Sequence, residues 1–138
     1  MATPPQDRHT EYVDKERREE FLNWLSKASF VQIYDNIYHC DDAGLANHVR
    51  YLLENVYEEG YKFSAWRARA LCRFTSAHGF GELIVLSGTP RVGSGPVLEL
   101  GSINSVTNDD AVSPPIECVY IENARKKQIK TIQAGGKS

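Results

Sequence analysis

The feature that most constrains the fold is a stripe of apolar residues in the middle of the chain. Its members recur at spacings of three and four, which places them on one face of an α-helix. They are Leu45, Val49, Leu52, Leu53, Val56 and Tyr57. A stripe this wide is stable only when another part of the chain covers it. We therefore predict a helix over residues 43–59, capped by Asp42 and ended by Gly60.

Length and composition indicate one globular domain. The chain has 138 residues, of which 41% are hydrophobic and 25% are charged. This balance suits a single core and excludes wholesale disorder. No apolar run approaches the roughly 20 residues that cross a bilayer, so we expect no membrane contact. Residues 1–10 lack the apolar centre of a secretory signal, and three scattered cysteines do not form a disulfide framework. We therefore expect an intracellular, cytoplasmic protein.

Three further helices are predicted from capping signals and apolar spacing. Thr10 can cap a helix that reaches Ala28. A second helix over residues 29–38 follows from a capping box formed by Ser29 and Gln32. The same run is rich in β-branched and aromatic residues, so a strand remains the alternative. A fourth helix over residues 65–77 has Ser64 as its cap and Gly79 at its end.

The pattern changes after Gly79 to short apolar runs bounded by glycine and proline, which indicates strands. Predicted strands cover residues 83–86, 97–100, 103–106, 117–121 and 128–132, and the last two form a hairpin. Because helices precede strands, we predict an α+β fold. About four N-terminal helices would pack on one face of a small, mainly antiparallel C-terminal sheet of three to five strands. This single domain would cover residues 10–133, with flexible tails at 1–9 and 134–138.

The charge is unevenly distributed along the chain. Residues 1–59 hold six Lys/Arg and twelve Asp/Glu, whereas residues 60–138 hold ten and six, so a net charge of −2 hides halves of −6 and +4. Such an asymmetry suits two faces with different partners, or two halves that attract each other within one fold.

Two basic strips are the clearest positive surface feature. The first lies on the predicted fourth helix and the second on the final hairpin. They comprise Lys62, Arg69 and Arg73, and then Arg125, Lys126, Lys127 and Lys130. Brought together, they could follow a nucleic-acid backbone, although dedicated nucleic-acid binders are usually far more basic than this chain, whose pI is about 6.1. An acidic protein partner fits the same strips.

A weak catalytic set lies near the junction between the predicted fourth helix and the first strand. His78, Glu82, Arg73 and Arg91 supply the residue types for metal-free phosphodiester cleavage, namely an acid, a base and a clamp for the developing charge. The alternative is a histidine placed at a helix C-terminus, where the helix dipole favours it.

Other patterns do not reach a recognisable motif. Residues 135–138 (Gly-Gly-Lys-Ser) resemble only the end of a phosphate-binding loop, and the glycine-rich loop 88–95 reads as a turn because prolines remove donors. His39, Cys40 and His48 lack the paired spacing of zinc ligands. We therefore predict no metal and no cofactor.

These observations favour a small non-enzymatic binding protein, an adaptor, inhibitor or regulatory accessory factor that acts through a protein–protein surface. A protein is the favoured partner, and self-association is compatible with the same features. Nucleic-acid binding through the basic strips is the first alternative, and a small metal-free ribonuclease or hydrolase is the second.

Overall fold

The structure is a computed structural model that describes residues 10–127. In chain order its elements are β1 (Glu11–Tyr12), α1 (Lys15–Leu25), β2 (Phe30–Tyr34), β3 (Ile37–Cys40), α2 (Leu45–Leu53), β4 (Lys62–Ala68), β5 (Phe80–Gly88), β6 (Ser102–Thr107) and β7 (Ile116–Glu122). The strands form one sheet in the order β1-β6-β5-β7-β4-β3-β2, and every neighbouring pair is antiparallel. The predicted four helices on a small sheet are therefore wrong, since the described chain has two helices and seven strands.

The central stripe does form a helix, α2, and its residues Leu45, Val49, Leu52 and Leu53 are buried. The helix is shorter than predicted because the chain beyond Leu53 joins another segment. The Glu58 N–H donates to the Arg125 carbonyl at 2.8 Å, and the Lys127 N–H donates to the Val56 carbonyl at 2.9 Å. Asp42 is not the N-cap, which is Gly44. The Asp42 carboxylate instead accepts hydrogen bonds from the N–H groups of Gly44 and Ser29. These two hydrogen bonds lower the pKa of Asp42.

Helix α1 starts later than predicted. Its N-cap is Asp14, whose carboxylate accepts the Arg17 N–H at 3.0 Å. Thr10 lies outside the helix because residues 11–12 pair with β6 as a short edge strand. The Val13 N–H then donates to the Gly101 carbonyl at 2.9 Å, which holds the chain extended up to the cap.

The predicted second helix is the hairpin β2–β3. Asn36 turns the chain with a φ of 65°, a conformation that asparagine tolerates better than most residues. Valine, isoleucine and tyrosine dominate both strands, and these residues suit a pleated surface. The strand alternative for residues 29–38 is therefore the correct one.

The predicted fourth helix is also wrong, because residues 62–68 form β4 between β3 and β7. Alternate residues of β4 point to opposite faces of the sheet. Ala65 faces one core, while Trp66 and Ala68 face the other. Residues 69–79 that follow are irregular and return across the sheet, where Cys72 makes an isolated bridge with Val112.

The strand predictions differ in outcome. Those for residues 83–86, 103–106 and 117–121 are confirmed by β5, β6 and β7. Residues 97–100 do not form a strand, since Val97 makes only an isolated bridge with Arg91 and the following residues turn through Gly101, which has a φ of 80°. The predicted strand 128–132 and both predicted tails lie outside the described residues, and β7 pairs with β4 and β5.

The sheet is covered on both sides. We call the side packed against α1 and α2 the helix face, where Ile84, Leu86, Val119 and Ile121 are buried. The opposite side, covered by irregular segments, is the loop face, and it contains Leu83, Val85, Val106 and Cys118. Burial on both faces explains why β5 and β7 are nearly continuous apolar runs. Neither described helix has the length and apolar character needed to cross a membrane.

Candidate functional site

The most distinctive surface feature is a groove of about 700 Å³ on the loop face, which we call the aromatic groove. Its floor is formed by β3, β4 and β7. One wall is the end of the β2–β3 hairpin, and the other is the irregular segment after β4. The lining residues are Ile33, Tyr34, Ile37, Ser64, Trp66, Ala68, Leu71, Cys72, Arg73, Phe74, Thr75, Tyr120 and Glu122.

Trp66 is the central floor residue. Its ring packs edge-to-face on Phe74, with centroids 6.2 Å apart, and lies 4.5 Å from the ring of His39 on β3. Its indole N–H donates to the Ser64 hydroxyl at 2.8 Å. The indole is therefore held in place by contacts on several sides while one part of it borders the groove. A fixed aromatic surface of this kind binds with little loss of side-chain entropy.

Tyr120 on β7 is part of the floor and stacks on Phe74 at a centroid distance of 5.4 Å. It is buried, and its hydroxyl has no hydrogen-bond partner among the residues that the structure describes. Burial raises the pKa of Tyr120. The ring fits because Gly81 on the adjacent strand has no side chain, since a Cβ there would lie 2.5 Å from Cζ of Tyr120.

The rim of the groove exposes large apolar side chains. Tyr34 is 70% exposed, Leu71 is 59% exposed and Ile33 is 45% exposed. Single exposed apolar residues are normal on a protein surface, but here three of them surround one concavity. They extend the apolar lining outward and provide surface that a ligand would bury.

Strand β2 forms the outer edge of the sheet beside this groove. It pairs with β3 on one side only, so within the described chain its other edge carries unpaired backbone groups. The opposite edge strand, β1, has only two residues. An exposed edge rich in Val, Ile and Tyr is where another strand can add to a sheet.

Two arginines follow β4 in the chain, and the first of them contacts the turn of the β2–β3 hairpin. The Arg69 N–H donates to the Asn36 carbonyl at 2.7 Å, and the Arg73 Nε–H donates to the Asp109 carbonyl at 3.3 Å. Neither guanidinium forms an ion pair within residues 10–127. Arg73 is the basic residue of the groove lining and Glu122 is the acidic one, whereas Arg69 borders a different cavity.

The structure separates the predicted catalytic set. His78 and Glu82 border a second cavity of about 700 Å³, which we call the β5 cleft. Arg73 lies on the wall of the aromatic groove. Arg91 lies in a loop, where its guanidinium donates to the Gly95 carbonyl at 2.9 Å. The arginine that borders the β5 cleft is Arg125, which the sequence assigned to a basic strip instead.

Glu82 is the half-buried carboxylate of the β5 cleft. It accepts a hydrogen bond from the Tyr57 hydroxyl, and its other oxygen lies 3.8 Å from the Lys126 ammonium. Burial, followed by the hydrogen bond to Glu82, raises the pKa of Tyr57 well above its usual value. Tyr57 therefore keeps its proton and acts as a hydrogen-bond donor that orients the Glu82 carboxylate.

The two basic strips do not form one continuous surface on a helix. Lys62 begins β4 and Arg69 follows its last residue, so about 23 Å of extended chain separates them. Arg125, Lys126 and Lys127 lie together after β7, but Lys126 is paired with Glu11 and Glu82. Lys130 lies outside the described residues.

The weaker candidates are dispersed as well. His39 packs on Trp66 at the loop face, whereas neighbouring Cys40 is buried on the helix face. His48 stacks on Trp24 at 4.1 Å. Within the described residues, no group of three or more His, Cys, Asp or Glu side chains could hold a metal ion. Residues 135–138 lie outside the described part of the chain.

Comparisons with protein-family models, with curated proteins and with solved structures find no match to this chain.

Proposed function

We propose that this protein binds other proteins by accepting an extended segment along β2, with side chains of that segment filling the aromatic groove. The observation that carries the proposal is the position of an apolar edge strand, unpaired on its outer side within residues 10–127, directly beside an aromatic-lined concavity. The edge offers backbone hydrogen bonds and the groove offers pockets for side chains. These two elements are what strand-addition modules use for affinity and specificity.

The exposed rim makes such binding energetically reasonable. Complete burial of a large apolar side chain contributes about 1.5–3 kcal/mol relative to full exposure. Tyr34, Leu71 and Ile33 each retain between 45% and 70% of their surface to bury. Together with an anchor residue placed against Trp66, they supply the buried aromatic contact that commonly dominates an interface.

The chemistry of the groove defines the partner segment. Apolar side chains should recur at every second position, because only alternate residues of a strand point to the same face. An acidic residue of the segment should lie opposite Arg73, the basic residue of the groove lining. The partner is therefore an extended protein segment with alternating apolar residues and an acidic flank.

Selection from a library of short displayed peptides tests this proposal directly. We expect enriched sequences to show the alternating pattern with acidic flanks, and a labelled synthetic copy to bind in fluorescence anisotropy. Ile33→Lys should weaken that binding about tenfold or more, because a charge replaces buried apolar surface at the rim. Leu100→Lys is the matched control, since Leu100 is 48% exposed in a distant loop against 45% for Ile33.

Two results would overturn the proposal. One is an equal loss of affinity in both lysine variants. The other is a stable dimer of the intact protein that Ile33→Lys dissociates in light scattering, because the edge would then belong to a second copy of the chain.

Nucleic-acid binding remains an alternative that rests on Arg125, Lys126 and Lys127, since Lys62 and Arg69 are far apart along β4. Neutralising phosphates with these side chains would make the affinity fall steeply with salt. A gel shift with single- and double-stranded RNA and DNA, repeated with Arg125→Ala and Lys127→Ala, tests it. Absence of a shift at low salt would remove this alternative.

An intracellular location is also part of the proposal. Cys40, Cys72 and Cys118 are all free, and burial raises the pKa of each thiol. Buried, protonated thiols are typical of proteins in a reducing compartment. Fractionation of the source cell tests the location, and recovery outside the cell would contradict it.

A further inference from the structure

A second cavity, separate from the aromatic groove, combines residues that the binding proposal leaves unused. The β5 cleft lies between the chain after α2, the start of β5 and the chain after β7. It is bordered by Glu59, Gly60, His78, Phe80, Gly81, Glu82, Ile121, Asn123, Ala124 and Arg125. We propose that it binds single-stranded RNA and cleaves it by transfer of the phosphodiester to the neighbouring 2′-hydroxyl.

The cleft contains an acid–base pair held close along the chain. His78 and Glu82 are four residues apart at the start of an extended strand, so at most about 14 Å separates their backbones. Both residues border the same cavity. Internal transfer in RNA needs a base at the 2′-hydroxyl and an acid at the leaving 5′-oxygen. A carboxylate and a histidine on one cleft supply those two groups.

Glu82 is suited to the role of base. Tyr57 occupies one carboxylate oxygen as a fixed hydrogen-bond donor, and Lys126 lies 3.8 Å from the other. These two contacts restrict the orientation of the carboxylate. The remaining lone pairs of the carboxylate are available to accept a proton from a ligand in the cleft.

Two exposed side chains provide recognition of RNA. Phe80 is 61% exposed and borders the cleft, so its ring is a surface on which a base can stack. Arg125 borders the same cavity, and its backbone carbonyl is tied to the Glu58 N–H at 2.8 Å. Its guanidinium can pair with non-bridging phosphate oxygens and stabilise the charge that develops on them.

The reaction is balanced without any further reagent. The Glu82 carboxylate takes the proton of the 2′-hydroxyl as the 2′-oxygen forms a bond to phosphorus. The bond from phosphorus to the 5′-oxygen breaks, and the protonated imidazole of His78 gives its proton to that oxygen. The products are a 2′,3′-cyclic phosphate and a free 5′-hydroxyl.

The test uses a short single-stranded RNA with a fluorophore and a quencher, incubated with the intact protein in the presence of EDTA. We expect cleavage, with a 2′,3′-cyclic phosphate identified by mass spectrometry. The same oligonucleotide with 2′-deoxyribose throughout should remain intact. Glu82→Gln and His78→Ala should each reduce the rate about 100-fold or more, as is usual for loss of a general acid or base. Arg125→Ala should also be slower.

Control variants separate the proposal from contamination and from misfolding. Arg91→Ala, which lies outside the cleft, should cleave at the native rate. Circular dichroism of Glu82→Gln and His78→Ala should match that of the native protein. Absence of cleavage by the native protein, cleavage of the deoxy substrate, or equal cleavage by His78→Ala would each overturn the proposal. None of these results would alter the peptide-binding proposal, which rests on other residues.

Discussion

A methyl group added at Gly81 should displace Tyr120 from the floor of the aromatic groove. Gly81 lies in β5 opposite Val106, and a Cβ at this position would be 2.5 Å from Cζ and 2.7 Å from Cε1 of Tyr120, with the hydroxyl closer still. The ring cannot simply rotate away because Phe74 stacks on it at 5.4 Å. Gly81→Ala therefore overpacks a site that is already filled.

The expected magnitude follows from two opposing effects. Overpacking a buried site costs about 1–3 kcal/mol, whereas replacing glycine with alanine at a compatible site stabilises by about 0.4–1 kcal/mol through the unfolded state. We expect Gly81→Ala to lower the free energy of unfolding by about 1–2 kcal/mol. For a domain of this size the midpoint of thermal unfolding should fall by roughly 3–8 °C.

A double-mutant cycle identifies the cause of this loss. Tyr120→Phe should be neutral or slightly stabilising, because it removes a buried hydroxyl that has no partner among the described residues. The penalty of Gly81→Ala should persist in that background, since the ring carbons remain. In a Tyr120→Leu background the penalty should fall below about 0.5 kcal/mol, because the ring is gone.

Urea unfolding followed by tryptophan fluorescence measures all of these free energies. The control is Gly93→Ala, where φ is 59° but no atom lies within 4 Å of the added Cβ, so any loss there comes from backbone strain alone. An undiminished penalty for Gly81→Ala in the Tyr120→Leu background would show that the ring of Tyr120 does not lie over Gly81. The described groove floor would then be wrong.

Two further predictions concern stability. Asp14→Ala should lower the free energy of unfolding in urea by about 1 kcal/mol, because it removes the N-cap of α1. Thr10→Ala, which lies outside the helix, should have no effect. A larger loss for Thr10→Ala than for Asp14→Ala would refute the observed helix start. Because burial raises the pKa of the Cys118 thiol well above 9.0, the unfolded chain releases that proton first as pH rises beyond 9. The contribution of the buried thiol to the free energy of unfolding is therefore fully present below pH 9. Above pH 9 this contribution falls by about 1.4 kcal/mol per pH unit. Cys118→Ala should reduce the slope of unfolding free energy against pH by that amount, and an unchanged slope would mean that Cys118 is not buried.

The sequence predicted the elements whose signal is local and strong. The apolar residues of α2 recur only with the period of a helix and leave a clear polar side. The apolar runs of β5 and β7 are too short for buried helices. Residues 29–38 and 62–68 carry a weaker signal, because their aromatic residues fit both a period of two and a period of 3.6. Gly60, Ser64 and Gly79 suggested helix caps, but glycine and serine are equally common in turns.

For the candidate sites too, local patterns group only residues that are close together in the sequence. His78 and Glu82, which are close in sequence, both border the β5 cleft. Arg125 also borders this cleft, and it reaches that position through the pairing of β7 with β5, which no local pattern reveals. The aromatic groove was missed because its lining comes from five separate stretches of the chain. The only local signal was the β-branched and aromatic run that became the edge strand β2.

Hydrogen–deuterium exchange of the β2 amides, with and without a selected peptide, tests the central claim most directly. Strand addition predicts that the N–H groups of β2 that point away from β3 become hydrogen-bonded, so their exchange should slow at least about tenfold when the peptide is saturating. Protection should extend to the segment that carries Leu71 and Arg73. Binding that leaves the β2 amides unprotected, or that protects only residues around α1, would contradict the account.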